Sequence, residues 1–151
     1  MNTPSSSNLV IERQKKLGEE FAAAGDWEAR YKLLIERGKT IPALPPEIMT
    51  ETYKVKGCQS QVWLHAGLTP DGLMELKADS DALIVKGLVA ILLEVYSKAK
   101  PDEILAAPTT FLKDFGFEGG LSPSRANGLY AMLKQILYYA QAFQALARLK
   151  H

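Results

Sequence analysis

The sequence predicts an α+β domain, a small antiparallel three-stranded sheet packed against helices. Three observations predict it. Apolar residues recur at helical spacing up to Gly38 and again after Asp81. Between them, from Thr52 to Ala78, the period switches to two. The two patterns are segregated along the chain rather than interleaved, so the helices cover one sheet face instead of building a parallel βαβ sheet. At 151 residues the chain has the size of one domain with one buried core. Residues 1–8, rich in Ser, Asn and Pro, read as a flexible tail, and residues 9–151 as a single domain.

Leu9 to Ala24 is the first expected helix, with Val10, Leu17 and Phe21 along one stripe and Gly25 as its stop. Asp26 is an N-cap for a second helix, in which Trp27, Tyr31, Leu34 and Ile35 share a face. Gly38 ends it, and Pro42, Pro45 and Pro46 rule out helix or central strand beyond. Tyr53 and Val55 alternate with Lys54 and Lys56, the pattern of a half-exposed first strand. Gln61 to Leu68 alternates again, Thr69-Pro70-Asp71-Gly72 is turn chemistry, and Leu73 to Ala78 forms the third strand. Asp79-Ser80-Asp81 offers N-caps for a helix from Ala82 to Tyr96, apolar nearly all round and therefore central. Pro101 opens a short helix to Ala106, and a helical turn is expected at Phe111 to Phe115. Ser122-Pro123 starts a last helix running to about Leu149, with Leu129, Leu133, Ile136, Leu137 and Ala140 on its apolar face.

Charge and composition remove several function classes. The formal net charge is +1, so no global attraction to nucleic acid or an anionic membrane is expected. The most apolar run, Ala82 to Val95, is interrupted by Lys86 and too short to span a bilayer. MNTPSSSNLV lacks the cationic-then-apolar pattern of a signal peptide. A single cysteine cannot form an internal disulfide, which fits a reducing, cytoplasmic compartment.

That cysteine, Cys58, sits at the join of the first two expected strands. A lone cysteine is commonly a buried, inert thiol. Here Gly57 precedes it, allowing close approach of a substrate or another backbone. Lys54 and Lys56 lie nearby in sequence, and positive charge favours the reactive thiolate. A dithiol mechanism lacks a resolving cysteine. With one Cys and two His, a zinc or iron–sulfur site within one chain lacks ligands. No Walker loop or dinucleotide fingerprint occurs. His65 could pair with Cys58 in a hydrolase, though such a histidine is more often a sheet residue. One nucleophilic sulfur with little other machinery describes a carrier better than a stand-alone enzyme.

The segment Gly57-Cys58-Gln59-Ser60-Gln61-Val62-Trp63-Leu64 resembles the signature around the acceptor cysteine of the SufE family. Ala78-Asp79-Ser80-Asp81-Ala82 leading into Ile84-Val85-Lys86-Gly87-Leu88 resembles the family's strand-to-helix junction. Leu121-Ser122-Pro123-Ser124-Arg125 with Gly128-Leu129 resembles the start of its last helix. The Trp27, Tyr31 and Leu34-to-Gly38 pattern also fits, so the resemblance spans about Leu9 to Ala140. The serine-rich tail and the end after Ala140 depart from it.

The resemblance implies an α+β fold similar to the cluster-scaffold proteins of the IscU type, without their metal-binding cysteines. It implies a partner, a pyridoxal-phosphate cysteine desulfurase of the SufS or CsdA type, whose persulfide sulfur Cys58 accepts and passes toward an iron–sulfur scaffold. The chain itself would hold no cofactor. Around Cys58, Gly57, Gln59, Ser60 and Gln61 would support the loop or meet the partner. Asp81 is first a helix N-cap and, by resemblance, also an anchor or gate of the cysteine loop. Arg125 places a positive charge in the first turn of a helix, against the dipole, and so calls for a specific partner, functional or structural. Trp63 reads as packing or loop support. Lys86 either snorkels outward or pairs with an acid. Two rival readings stay open: a regulator that binds a desulfurase without taking sulfur, and a one-cysteine thiol enzyme such as a peroxidase or amidase.

Overall fold

A computed structural model describes residues 8–56, 60–111 and 121–149. In chain order the elements are helices α1 (Leu9–Ala24) and α2 (Trp27–Gly38), strands β1 (Val62–Leu68) and β2 (Met74–Ser80), and helices α3 (Leu83–Tyr96), α4 (Pro101–Ala106) and α5 (Pro123–Leu149). The helix, hairpin, helix order of the sequence is therefore the architecture of the chain.

Helices α1, α2 and α5 each begin at a side-chain cap. Asn8 Oδ1 accepts from the Val10 and Ile11 N–H groups at 2.9 and 3.2 Å, and its Nδ2 donates to the Glu103 carbonyl at 2.9 Å. Grouped with the tail on composition, Asn8 is instead the N-cap of α1 and a tether to α4. Asp26 caps α2 through the Ala29 N–H at 2.9 Å. Ser122 Oγ accepts from the Arg125 N–H at 3.3 Å, so the expected cap of α5 is in place. Residues 1–7, and the turn expected at Phe111 to Phe115 beyond Phe111 itself, lie outside the described residues.

β1 and β2 pair antiparallel from Val62↔Ser80 to Leu68↔Met74. Gly72, with φ of +83°, closes the turn between them, where the Thr69 N–H meets the Leu73 carbonyl at 2.8 Å. Among the described residues the sheet has two strands, not the expected three. Glu51–Tyr53 winds into a 3-10 turn, leaving only one bridge, Lys54↔Trp63, and a 2.8 Å bond from the Val55 N–H to the Val62 carbonyl. Alternation over Tyr53 to Lys56 was too short to distinguish a strand from a turn followed by one extended step.

α3 is the central element. Leu88, Ile91 and Val95 are fully buried, with Phe21 from α1, Leu34 from α2, Met74 from β2 and Leu129 and Ile136 from α5 in the same core. Each such side chain contributes about 1.5–3 kcal/mol on burial. α2 and α3 meet at backbone distance, since a Cβ on Gly87 would lie 2.3 Å from the Leu34 carbonyl oxygen. Arg37, three residues after Leu34 in α2, pairs with Glu20 of α1 and Glu94 of α3.

Candidate functional site

Gly57, Cys58 and Gln59 lie outside the described residues, which resume at Ser60. What the structure describes is the frame on both sides of them. On the upstream side the Lys54↔Trp63 bridge and the Val55–Val62 bond tie the incoming chain to β1. On the downstream side Asp81 clamps Gln61. The Gln61 N–H donates to Asp81 Oδ1 at 3.1 Å, and the Asp81 N–H donates to the Gln61 carbonyl at 3.3 Å. The six residues 56–61 are thus spanned by a closed hairpin at their base and by a carboxylate at their exit.

This clamp changes the reading of Asp81. Expected first as a helix N-cap, it makes no capping bond to α3, whose N-terminal boundary is Ala82 without a side-chain cap. The Val62↔Ser80 register puts the residue after β2 beside the residue before β1, and the Asp81 carboxylate takes the Gln61 N–H that has no strand partner. Ser80 Oγ instead accepts from the Ala82 N–H at 3.2 Å. Asp79 Oδ1 accepts from the Ser80 N–H at 2.8 Å and pairs with Lys86 Nζ at 3.3 Å. Of the two readings of Lys86, the ion pair is the one observed.

The other expected site residues separate. Ser60 is half-buried and Gln61 exposed. Trp63 is buried in β1, as the packing reading expects. His65 is a sheet residue opposite Lys77, its ring edge-on to Tyr53 at 5.2 Å. Arg125 is exposed in the first turn of α5, and its guanidinium makes no ion pair or hydrogen bond among the described residues. The structure therefore joins Gln61 to Asp81 but does not bond Arg125 to either. Lys54 reaches Glu51 at 3.4 Å, and Lys56 is exposed.

Sequence reasoning missed one feature beside this frame. An open groove of about 540 Å³ runs between residues 52–56 and α5, with Lys134 and Tyr138 on its helical wall. Their i, i+4 spacing, continued back to Tyr130, places a polar and aromatic stripe on α5 apart from its buried Leu129, Leu133 and Ile136. Among the described residues no group of three His, Cys, Asp or Glu side chains converges as a metal site would require, and no helix is long and apolar enough to cross a membrane.

Comparison with known proteins agrees with this architecture. Residues 15–140 match the SufE family, described as an Fe–S metabolism associated domain. An uncharacterized SufE-like protein of Rhizobium etli is 41% identical over 138 residues, covering 88% of this chain and 93% of that protein. The solution structure of a hypothetical protein from Thermus thermophilus superposes with a TM-score of 0.75 at 26% identity, covering 89% of this chain and 98% of that one.

Proposed function

The chain belongs to the SufE family, associated with Fe–S metabolism, and from that premise we propose that it accepts sulfur from a cysteine desulfurase as a persulfide on Cys58. The observation that carries the reading is the segment Gly57 to Leu64, which holds the chain's only cysteine and leads directly into the Gln61–Asp81 clamp. The partner on this reading is a pyridoxal-phosphate desulfurase of the SufS or CsdA type. An iron–sulfur scaffold is the downstream acceptor. The chain itself carries no cofactor.

The transfer is a thiol–disulfide-type exchange. The Cys58 thiolate attacks the terminal sulfur of the desulfurase persulfide. A new S–S bond forms on Cys58, the old one breaks, and the desulfurase cysteine leaves as a thiolate. Stimulation follows because the emptied desulfurase is free to turn over again. The scaffold takes the terminal sulfur by the same step. A reducing, cytoplasmic setting suits this chemistry, since it keeps Cys58 from ending in a stable disulfide or on the oxidation ladder.

On this reading Asp81 and Gln61 fix one end of the acceptor segment, and Lys56 adds positive charge that favours the thiolate. Arg125, Ser60, Gly57 and Gln59 are supporting residues for the loop or the docked partner. Desulfurase turnover in the presence of Cys58→Ser tests the reading. The expected result is loss of stimulation with the fold retained. Full stimulation by Cys58→Ser would contradict it and favour a regulator that takes no sulfur.

A further inference from the structure

The groove between residues 52–56 and α5 has an unusual charge for this chain. Lys54, Lys56 and Lys134 line it, and among the described residues no Asp or Glu does. The whole chain has 18 Lys and Arg against 17 Asp and Glu, so three lysines without an acid are a local accumulation and not the mark of a basic protein. Among the described residues Lys54 pairs with Glu51, whose side chain is 88% exposed, so water screens that pair. Lys56 and Lys134 are exposed and pair with no carboxylate among the described residues.

The groove also carries aromatic rings set in place by their neighbours. Tyr53 packs against His65, and Tyr138 packs against Tyr139 at 6.2 Å while 63% exposed. Tyrosine is enriched at protein-docking surfaces, and exposed lysines around it steer an oppositely charged partner. Chain connectivity adds proximity. Lys56 stands two residues before Cys58, which limits their Cα separation to about 7 Å.

We propose that this groove seats an acidic segment of the protein that donates sulfur to Cys58, with carboxylates on Lys56 and Lys134 and an apolar side chain between Tyr53 and Tyr138. The proposal rests on the sulfur-acceptor reading. Its physical content is electrostatic: opposite charges raise the encounter rate and fix the register of docking, and salt weakens both.

The test titrates a desulfurase that loads sulfur onto wild type with wild type, with a Lys56→Glu/Lys134→Glu double variant, with Lys134→Glu alone, and with Lys16→Glu, an exposed lysine of α1 outside the groove. Both substituted groove side chains are exposed, so the fold is retained. Expected for the double variant is a rise of about tenfold or more in the concentration giving half-maximal stimulation, and for Lys134→Glu alone a smaller rise at an unchanged maximal rate. Lys16→Glu should stay within about twofold of wild type. High salt should shrink the difference. A double variant that titrates like wild type overturns the groove proposal and leaves sulfur acceptance standing. Normal stimulation by the double variant with failed delivery to a scaffold also overturns it, giving the groove to the downstream acceptor. A wild type that takes no sulfur from any desulfurase overturns the acceptor reading, and the groove proposal falls with it.

Discussion

The α2–α3 crossing and the frame around residues 56–61 are held by opposite means. At the crossing, Gly87 lets the Leu34 backbone lie where any side chain would stand, and Leu34 and Leu88 are fully buried. At the frame, the exposed Asp81 carboxylate holds the Gln61 amide, while a bond between the buried Val55 and Val62 closes the hairpin beneath it. Close packing has no intermediate state and tolerates no added atom. An exposed hydrogen bond contributes only about 0.5–1.5 kcal/mol net and exchanges readily with water. The chain thus concentrates rigidity in its helical core and uses weaker, reversible bonds beside its only cysteine.

Three substitutions can break or sharpen that contrast. Gly87→Ala should have the largest effect, a loss of about 3 kcal/mol in chemical denaturation, because the new Cβ meets a carbonyl and not a flexible side chain. A loss below about 1 kcal/mol would mean that the two helices can slide apart cheaply, and the crossing would not be the rigid half of the comparison. Asp81→Ala should cost about 1 kcal/mol or less in global stability, yet speed hydrogen exchange at the Gln61 amide. Unchanged exchange at Gln61 would remove the clamp from the account.

The smallest effect belongs to Tyr96, at the end of α3. Its hydroxyl is buried without a hydrogen-bond partner among the described residues. Burial pushes the phenol well above its usual range. The nearby Gln14 side chain, which donates to the Pro108 carbonyl, opposes this less strongly. A raised phenol leaves stability untouched below the unfolded value of about 10 and lowers it as pH climbs past that point, since only the unfolded chain ionises readily. Tyr96→Phe should therefore be neutral or stabilising by up to about 1 kcal/mol at neutral pH, and should lose less stability than wild type above pH ~10. A destabilised Phe variant at neutral pH would show that the hydroxyl is satisfied in solution.

Much of this was legible in the sequence because it depends on local chemistry. Asp26 and Ser122 cap the helices they precede, Gly72 turns the hairpin, and α3 is buried as its apolar run demands. Features set by tertiary pairing were not legible. Asp79-Ser80-Asp81 offered three capping candidates, and only the β1–β2 register shows that Asp81 faces Gln61 while Asp79 meets Lys86. The first expected strand failed because the 3-10 turn at Glu51–Tyr53 competes with pairing over a very short alternating stretch. The tail composition hid Asn8, whose side-chain carbonyl oxygen finds the first N–H groups of α1. The lysine groove joins segments far apart in sequence, so no local pattern could reveal it.

The central claim is that Cys58 carries sulfur. Intact-protein mass spectrometry after incubation with a cysteine desulfurase and free cysteine tests it most directly. The account predicts a gain of one sulfur atom on wild type, removed by reductant and absent in Cys58→Ala. A gain that persists in Cys58→Ala, or no gain with any of several desulfurases while the chain is folded and Cys58 reduced, would contradict it.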